Sequence, residues 1–195
     1  MVKTEKLKCG VTLVTEHMPA FNSTAFGVWV KTGAVNETRE IAGISHFIEH
    51  MMFKGTKNKT AKEIAESVDE IGGQINAFTG KEATCYYIRT LAENLEKSMD
   101  IILDMITKSL FDREEMEREK NVIYEEMKMI KDAPDEDALD TIGEIIFKDS
   151  PLGNSVIGTR SSLKKITRQK LLRYLKEQYT RDSIVVSVAG KFDEK

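Results

Sequence analysis

Hydrophobic and polar residues follow two different periods along this chain, and the two periods predict strands near both ends with helices between them. Runs rich in β-branched and aromatic residues, bounded by turn residues such as Pro19, Asn22 and Gly190, are typical of strands. Gly80 and Lys81 mark a turn that joins two of these strands into a hairpin. The predicted strands cover residues 11–15, 24–31, 74–78, 83–91 and 183–189.

Helices are predicted where apolar residues recur every three or four positions. Thr60 and Asp112 are suited to begin two of them, because each is followed by a glutamate three residues later. The predicted helices cover residues 42–53, 60–71, 92–110, 112–131, 134–147 and 167–179. This order favours an α+β fold, with a mixed and mostly antiparallel sheet packed against several helices, over a doubly wound sheet.

Composition narrows the class of protein further. A length of 195 residues suits a single domain. A net charge of −3, with both signs interspersed, gives no indication of nucleic-acid binding. Cys9 and Cys85 are too few for a disulfide framework. The chain has neither a membrane-spanning apolar stretch nor the apolar core of a signal peptide. We therefore expect no membrane partner and a cytoplasmic location.

The helix predicted over 42–53 carries the main chemical signal. It is apolar except for Ser45, His46, Glu49 and His50. Residues four positions apart share one face of a helix, so both imidazoles can point at one ion. The order H-x-x-E-H is an inverted form of a zinc-enzyme motif. The alternative is a pair of core histidines whose rings are satisfied by backbone carbonyl groups.

A catalytic zinc ion needs three protein ligands and one open position, so a third ligand must come from elsewhere. His17, the remaining histidine, lies beside a predicted turn, which makes a carboxylate or a cysteine the better candidate. Glu119 and Glu126 are nearly two helical turns apart and fall on the apolar stripe of the helix over 112–131. That predicted stripe comprises Met116, Val122, Ile123, Met127 and Ile130.

Two carboxylates on a buried face need compensation, which a metal ion and its histidines would supply. We assign Glu126 as the third ligand and Glu119 as a carboxylate that orients a ligand or a substrate group. The sequence does not by itself decide which glutamate binds the metal, although Glu125 points about 100° away from the stripe. The alternative for Glu119 and Glu126 is a pair of salt bridges to buried arginines.

These motifs resemble the inverzincin metallopeptidases of the pitrilysin group, which includes insulysin and the mitochondrial processing peptidases. The resemblance is strongest to the processing-peptidase-like bacterial branch, in which the third ligand follows the second histidine at the distance that separates His50 from Glu126. It implies the fold that these enzymes share with the S-ribosylhomocysteine lyases. The matching segments are 43–51, 53–56, 76–79, 117–126, 151–153 and 157–158.

The resemblance also implies a set of roles at the site. One zinc ion per chain would be bound by His46, His50 and Glu126. Glu49 would act as the general base, and Glu119 would match a second glutamate that the family needs near the metal. The implied activity is hydrolysis of peptide bonds, in peptides or unfolded protein segments, by a metal-activated water.

A substrate strand is implied by the same resemblance. Asn76, Ala77 and Phe78 would lie on an edge strand that binds a peptide substrate by adding it to the sheet. The bland alternative for Asn76 is an ordinary residue at the end of a strand.

The resemblance implies that residues 1–195 form only the N-terminal, zinc-binding domain of a two-domain protein. Family members of this branch are about twice as long, and their second half helps to hold the substrate. We therefore expect a fragment, or a subunit that needs a partner, that binds zinc but cleaves peptides poorly alone. Two alternatives stay open: a non-catalytic zinc-binding or scaffolding subunit, and a lyase-like metal enzyme with Cys85 as its third ligand.

Overall fold

The computed structural model describes residues 1–193, within which six strands form one sheet accompanied by seven α-helices. The strand order is β1-β2-β6-β3-β5-β4; β2 and β6 are parallel and all other neighbours are antiparallel. The predicted α+β class and the mostly antiparallel sheet are therefore confirmed. The strands are β1 (Val2–Lys6), β2 (Thr12–His17), β3 (Ser23–Val30), β4 (Gln74–Thr79), β5 (Thr84–Leu91) and β6 (Ile184–Gly190).

Two of the helices begin at the capping residues that the sequence indicates. Thr60 accepts a hydrogen bond from the Glu63 amide in a complete capping box, and Asp112 accepts from the amides of Glu114 and Glu115. The helices are α1 (Ile44–Met52), α2 (Ala61–Glu70), α3 (Leu95–Lys108), α4 (Arg113–Asp132), α5 (Pro134–Ile146), α6 (Arg160–Lys165) and α7 (Arg168–Gln178). The predicted domain extends to residue 195, so its last two residues lie outside the described part.

Among the strands and α-helices, β1 and α6 are the two that the sequence does not predict. Every residue of β1 is exposed, since this edge strand pairs with β2 and buries no side chain of its own. No apolar alternation is therefore available to reveal it. The six residues of α6 are too short a stretch for a helical period to show, although Thr159 and Ser162 form a capping box at its start.

One face of the sheet forms the core with α1, α3 and α4. Phe26, Val28 and Val30 of β3 point into this core together with Tyr86 and Ile88 of β5. Helix α1 is buried on most of its sides. Its own residues Ile44, Phe47, Ile48, Met51 and Met52 are fully buried. An apolar helix of this kind is held in position from several directions.

The sequence-based stripe of α4 needs one correction. Met116 and Ile123 are buried as expected, but Val122 is 49% exposed. Six residues turn a helix by about 600°, which leaves Val122 about 120° away from Met116. Val122 therefore belongs to the solvent face, although its apolar character suggested otherwise.

The start of α1 is fixed by a buried carboxylate. Glu37 accepts hydrogen bonds from the backbone amides of Gly43 (2.6 Å) and Ser45 (2.8 Å), which are free amides at the helix N-terminus. Burial raises the pKa of Glu37, while these hydrogen bonds oppose the rise. The negatively charged form of the Glu37 carboxylate is favoured here by the positive end of the helix dipole. Glu37 therefore holds α1 in register with the preceding loop.

Gly158 allows a close backbone contact beside the same end of α1. Its φ is +74°, and a Cβ atom there would lie 2.2 Å from the carbonyl oxygen of Ala42. A left-handed conformation costs an L-residue about 1–2 kcal/mol, and the clash adds to that cost. We expect Gly158→Ala to lower the free energy of unfolding by more than about 2 kcal/mol in urea titrations.

Gly72→Ala is the matched control for this prediction. Gly72 also has a positive φ, +59°, but no described heavy atom lies within 4 Å of its Cβ position. The Gly72 variant should lose only the conformational part, about 1–2 kcal/mol. Equal losses in the two variants would show that the contact with Ala42 does not matter.

Candidate metal centre

Two helices bring together the three residues expected to bind a metal. His46 and His50 lie one turn apart on α1, and Glu126 lies on α4, which packs against α1. One donor atom from each of these residues lies within 4.8 Å of the others, and no other group of this kind occurs within residues 1–193. These three residues are called the ligand cluster below.

The spacing inside the ligand cluster fits a small ion better than direct hydrogen bonds. Nε2 of His46 lies 3.6 Å from Glu126 Oε1, and Nε2 of His50 lies 3.5 Å from Glu126 Oε2. Hydrogen bonds between such atoms are about 2.7–3.2 Å long. Donors bound to one tetrahedral zinc ion at about 2.0–2.1 Å are about 3.3 Å apart. The donor set of two imidazoles and one carboxylate also suits zinc.

The protonation of His46 suits a metal ligand. Burial, together with the smaller effect of a positive charge on His50, lowers the pKa of His46 to about 4. The ring is therefore neutral near pH 7, which is the form that binds metals. Its Nδ1 atom is buried and has no hydrogen-bond partner among the described residues.

His50 is held from behind by Glu119. The Nδ1 atom of His50 donates a hydrogen bond to Glu119 Oε2 at 3.1 Å, so the lone pair of Nε2 faces the ligand cluster. The other oxygen of Glu119 forms an ion pair with Lys54 Nζ at 2.6 Å. A carboxylate that orients a metal-binding histidine in this way raises the basicity of the ligand. Glu119 therefore pairs with His50 and Lys54, and not with the buried arginines considered as an alternative.

We expect Glu119→Gln to weaken zinc binding by about 10–100-fold, the usual cost of losing such an orienting partner. A neutral glutamine amide would replace the charged carboxylate that accepts the hydrogen bond from His50 Nδ1. The ion pair with Lys54 would also be lost. Competition against a chelator measures the dissociation constant. Glu117→Gln is the control, because Glu117 is an exposed residue of the same helix that pairs with Lys120. Equal zinc affinity in the two variants would contradict this role for Glu119.

Two adjacent glutamates of α4 differ in environment, and only Glu126 faces the two histidines. Glu125 is exposed and forms an ion pair with Lys128 at 2.7 Å. The side chain of Glu126 is 38% exposed, which is more open than the buried stripe had indicated. Burial nevertheless raises the pKa of Glu126, against the effect of positive charge on His50.

Glu49 lies between the two histidines and faces an open cleft. The cleft has a volume of about 420 Å³. Burial raises the pKa of Glu49, whereas a hydrogen bond from the Thr79 hydroxyl to Oε2 and positive charge on His50 oppose the rise. The remaining oxygen, Oε1, has no hydrogen-bond partner within the described chain. A carboxylate with a raised pKa and a free oxygen beside a metal is suited to accept and return a proton.

Strand β4 forms one wall of the cleft and one edge of the described sheet. Paired residues of antiparallel strands alternate between hydrogen-bonded and non-hydrogen-bonded pairs. The Gly80 amide donates to the Ala83 carbonyl at 2.8 Å, so Thr79 and Ala77 belong to non-hydrogen-bonded pairs with β5. Their backbone groups therefore face away from the sheet, where a further strand could pair with them.

The three predicted substrate residues are placed differently. Ala77 and Phe78 line the cleft, and the Phe78 side chain is largely open to solvent. Asn76 is exposed and is not among the residues that line the cleft. Its Oδ1 accepts a hydrogen bond from the Ala77 amide at 2.8 Å, on the free edge of β4.

Sequence reasoning missed several residues of the site. Thr79 contacts the Glu49 carboxylate, and its place two residues after Ala77 in a strand was an available signal. The opposite wall contains the acidic residues Glu136 and Asp140 of α5, which no local pattern connects to α1. The apolar residues of that wall are Ile130, Leu139, Val156 and Ile157.

Cys85 is separate from this centre. It pairs with Trp29 and Phe78 in the sheet, on the face opposite the buried Tyr86. Burial raises the pKa of its thiol to about 12, so the thiolate that binds metals is strongly disfavoured. The ligand cluster, within the described residues, contains no cysteine.

As for membranes, none of the helices in the described part of the chain combines the length and the apolar character needed to cross a bilayer.

Comparison with known proteins adds a family and a set of relatives. Residues 12–160 match the family model described as insulinase, peptidase family M16. An uncharacterized zinc protease of Bacillus subtilis, YmxG, is 46% identical over 194 residues, covering 100% of this chain and 47% of the relative. The beta subunit of the mitochondrial-processing peptidase of Saccharomyces cerevisiae is 37% identical over 193 residues, covering 99% and 42%. This chain spans about half the length of the curated relatives it matches.

Solved structures show the same fold. A protease from Helicobacter pylori has a TM-score of 0.89 at 25% identity, covering 100% of this chain and 47% of that one. A structure described as a peptidase M16 inactive domain, from Pseudomonas fluorescens, has a TM-score of 0.91 at 16% identity, covering 99% and 47%. The second likeness concerns the fold alone.

Proposed function

This chain belongs to the insulinase family of peptidases, M16, and from that premise we propose that it is the zinc-binding part of a metalloendopeptidase. The proposed reaction is hydrolysis of peptide bonds in peptides or unfolded protein segments. The observation that supports it most is the convergence of His46, His50 and Glu126 beside Glu49, a half-buried carboxylate with one free oxygen. One zinc ion per chain is the proposed cofactor, and relatives named zinc proteases support this metal.

The residues of the site have distinct roles in this reaction. When bound, zinc supplies the Lewis acidity that makes water nucleophilic near neutral pH and polarises a carbonyl group. Glu49 accepts a proton from the attacking water at Oε1 and returns it to the nitrogen of the leaving amine. Glu119 keeps His50 oriented through the hydrogen bond to Nδ1.

Substrate would bind by pairing with the free edge of β4. The outward backbone groups of Ala77 and Thr79 offer one amide and one carbonyl each to an extended peptide. In the free chain the Ala77 amide donates a hydrogen bond to Asn76 Oδ1. This hydrogen bond would break when the peptide binds, so that the amide can pair with the substrate. Phe78 borders the same cleft. A strand held in this way has its backbone beside the ligand cluster.

We also propose that a second domain or a partner subunit completes the active site. The matched relatives are about twice as long as this chain, which supports this proposal. The residues 1–195 alone would then bind zinc but hydrolyse peptides poorly. A cytoplasmic location belongs to the same proposal and is checked by cell fractionation.

Hydrolysis of quenched fluorescent peptides tests the proposed function. The complete natural polypeptide that contains these residues should cleave such peptides, lose activity with a chelator and regain it with zinc. Bound zinc without any cleavage would favour the other candidate, a non-catalytic zinc-binding or scaffolding subunit. The position of Cys85 away from the ligand cluster gives no support to a lyase-like enzyme.

A further inference from the structure

Thr79 is the last residue of β4 and contacts Glu49 directly. Its hydroxyl donates a hydrogen bond to Glu49 Oε2. Within residues 1–193, this hydroxyl is the one protein group that hydrogen-bonds to the Glu49 carboxylate. Both residues line the cleft together with His46 and Glu126.

We propose that Thr79 is a positioning residue for the general base. Its hydroxyl holds one carboxylate oxygen of Glu49 and thereby directs the other toward the water that the reaction consumes. The last torsion of a glutamate side chain is broad, so an unrestrained carboxylate would adopt many orientations. A general base acts only within hydrogen-bond reach of its proton. This inference rests on the proposed function and assigns a further residue to the same site.

The backbone of Thr79 is held firmly enough for this task. The turn that follows it is closed by the hydrogen bond from the Gly80 amide to Ala83. A second segment clamps the same turn: the amides of Ala34 and Val35 donate to the carbonyls of Gly80 (3.3 Å) and Lys81 (2.9 Å). The position of the Thr79 hydroxyl is therefore set by two segments rather than by β4 alone.

The helix that carries Glu49 is tied to the same region by buried hydroxyl groups. Tyr174 OH lies 3.0 Å from both Ser45 Oγ, in the first turn of α1, and Thr32 Oγ1, just after β3. The Thr84 hydroxyl donates to the Thr32 carbonyl at 3.0 Å, and Thr84 is the register partner of Thr79. A satisfied buried network of this kind makes a structure rigid. The donor and the acceptor thus have a fixed separation before substrate arrives.

The two sides of Thr79 face different groups. Its side chain contacts Glu49, whereas its backbone amide and carbonyl face the free edge of β4. A substitution that removes only the hydroxyl leaves the proposed contacts with the substrate backbone in place. The inference therefore predicts an effect on kcat and little effect on KM.

Thr79→Val and Thr79→Ser, made in the complete natural polypeptide, form the test. Valine keeps the shape and suits a strand but lacks the hydroxyl, and serine keeps the hydroxyl. We expect Thr79→Val to lower kcat by about 10–100-fold, by analogy with the loss of a partner that orients a metal-binding residue. KM and the zinc dissociation constant should stay unchanged, and Thr79→Ser should remain close to the unaltered protein. Equal losses of kcat in the two variants would overturn the inference.

Crystal structures of the two variants provide a readout that does not depend on activity. The Glu49 carboxylate should keep a single orientation in Thr79→Ser and should turn away or occupy several orientations in Thr79→Val. The same single orientation in both variants would refute the positioning role. If the unaltered protein shows no zinc-dependent hydrolysis, the proposed function fails, while these two structures still decide whether Thr79 positions Glu49.

Discussion

Glu49→Gln should lower kcat for peptide hydrolysis by about 10²–10⁴-fold, the usual contribution of a general acid–base group. The glutamine amide can still accept the hydrogen bond from Thr79, so the shape of the site is preserved. It cannot accept a proton from water or return one to the leaving amine. Quenched-peptide hydrolysis by the complete natural polypeptide measures kcat.

The zinc content of Glu49→Gln should stay the same, because the ligand cluster does not include this residue. Glu66→Gln is the control, since Glu66 is an exposed residue within α2 that forms an ion pair with Lys62. This control should retain full activity. Retained hydrolysis in Glu49→Gln, with zinc bound, would assign the proton transfers to another group and remove the proposed mechanism.

Glu126→Gln should raise the dissociation constant for zinc by more than about 100-fold. Loss of a partner that only orients a ligand already costs about 10–100-fold, and loss of a charged ligand removes a bond to the ion itself. A neutral amide oxygen is also a poorer ligand for a divalent cation than a carboxylate. Chelator competition measures this constant without any need for peptidase activity.

Glu125→Gln is the matched control for that variant. The two glutamates are adjacent on α4, but Glu125 faces solvent and pairs with Lys128. We expect its zinc affinity to equal that of the unaltered chain. A larger loss in Glu125→Gln than in Glu126→Gln would show that the ligand cluster is wrongly composed.

Much of the fold follows from local patterns in this sequence. Capping residues at Thr60 and Asp112 and the strand periods place most elements close to their observed bounds. The misses are β1, which buries no side chain, and α6, which is too short to show a period. In both cases the element owes its place to tertiary contacts, and no local hydrophobic signal marks it.

The site, like the fold, has one part that local patterns predict and another that only packing decides. His46 and His50 share a face because of the geometry of a single helix, so their pairing could be inferred without a structure. Glu119 and Glu126 could both be placed on the inner side of α4. Only the packing of α1 against α4 separates their roles, with Glu126 beside both Nε2 atoms and Glu119 behind His50.

The sequence by itself thus indicated the family through motifs spread along the chain, and the α+β class through the order of its elements. It also indicated that His46 and His50 share a face, because their spacing within one helix requires it. The tertiary structure decided the contacts between elements. These are the ion pair of Lys54 with Glu119, the hydrogen bond from Thr79 to Glu49, and the wall of the cleft that α5 forms. Those contacts join residues that are far apart in the chain. Their distances depend on how helices and the sheet edge pack together, which no local period encodes.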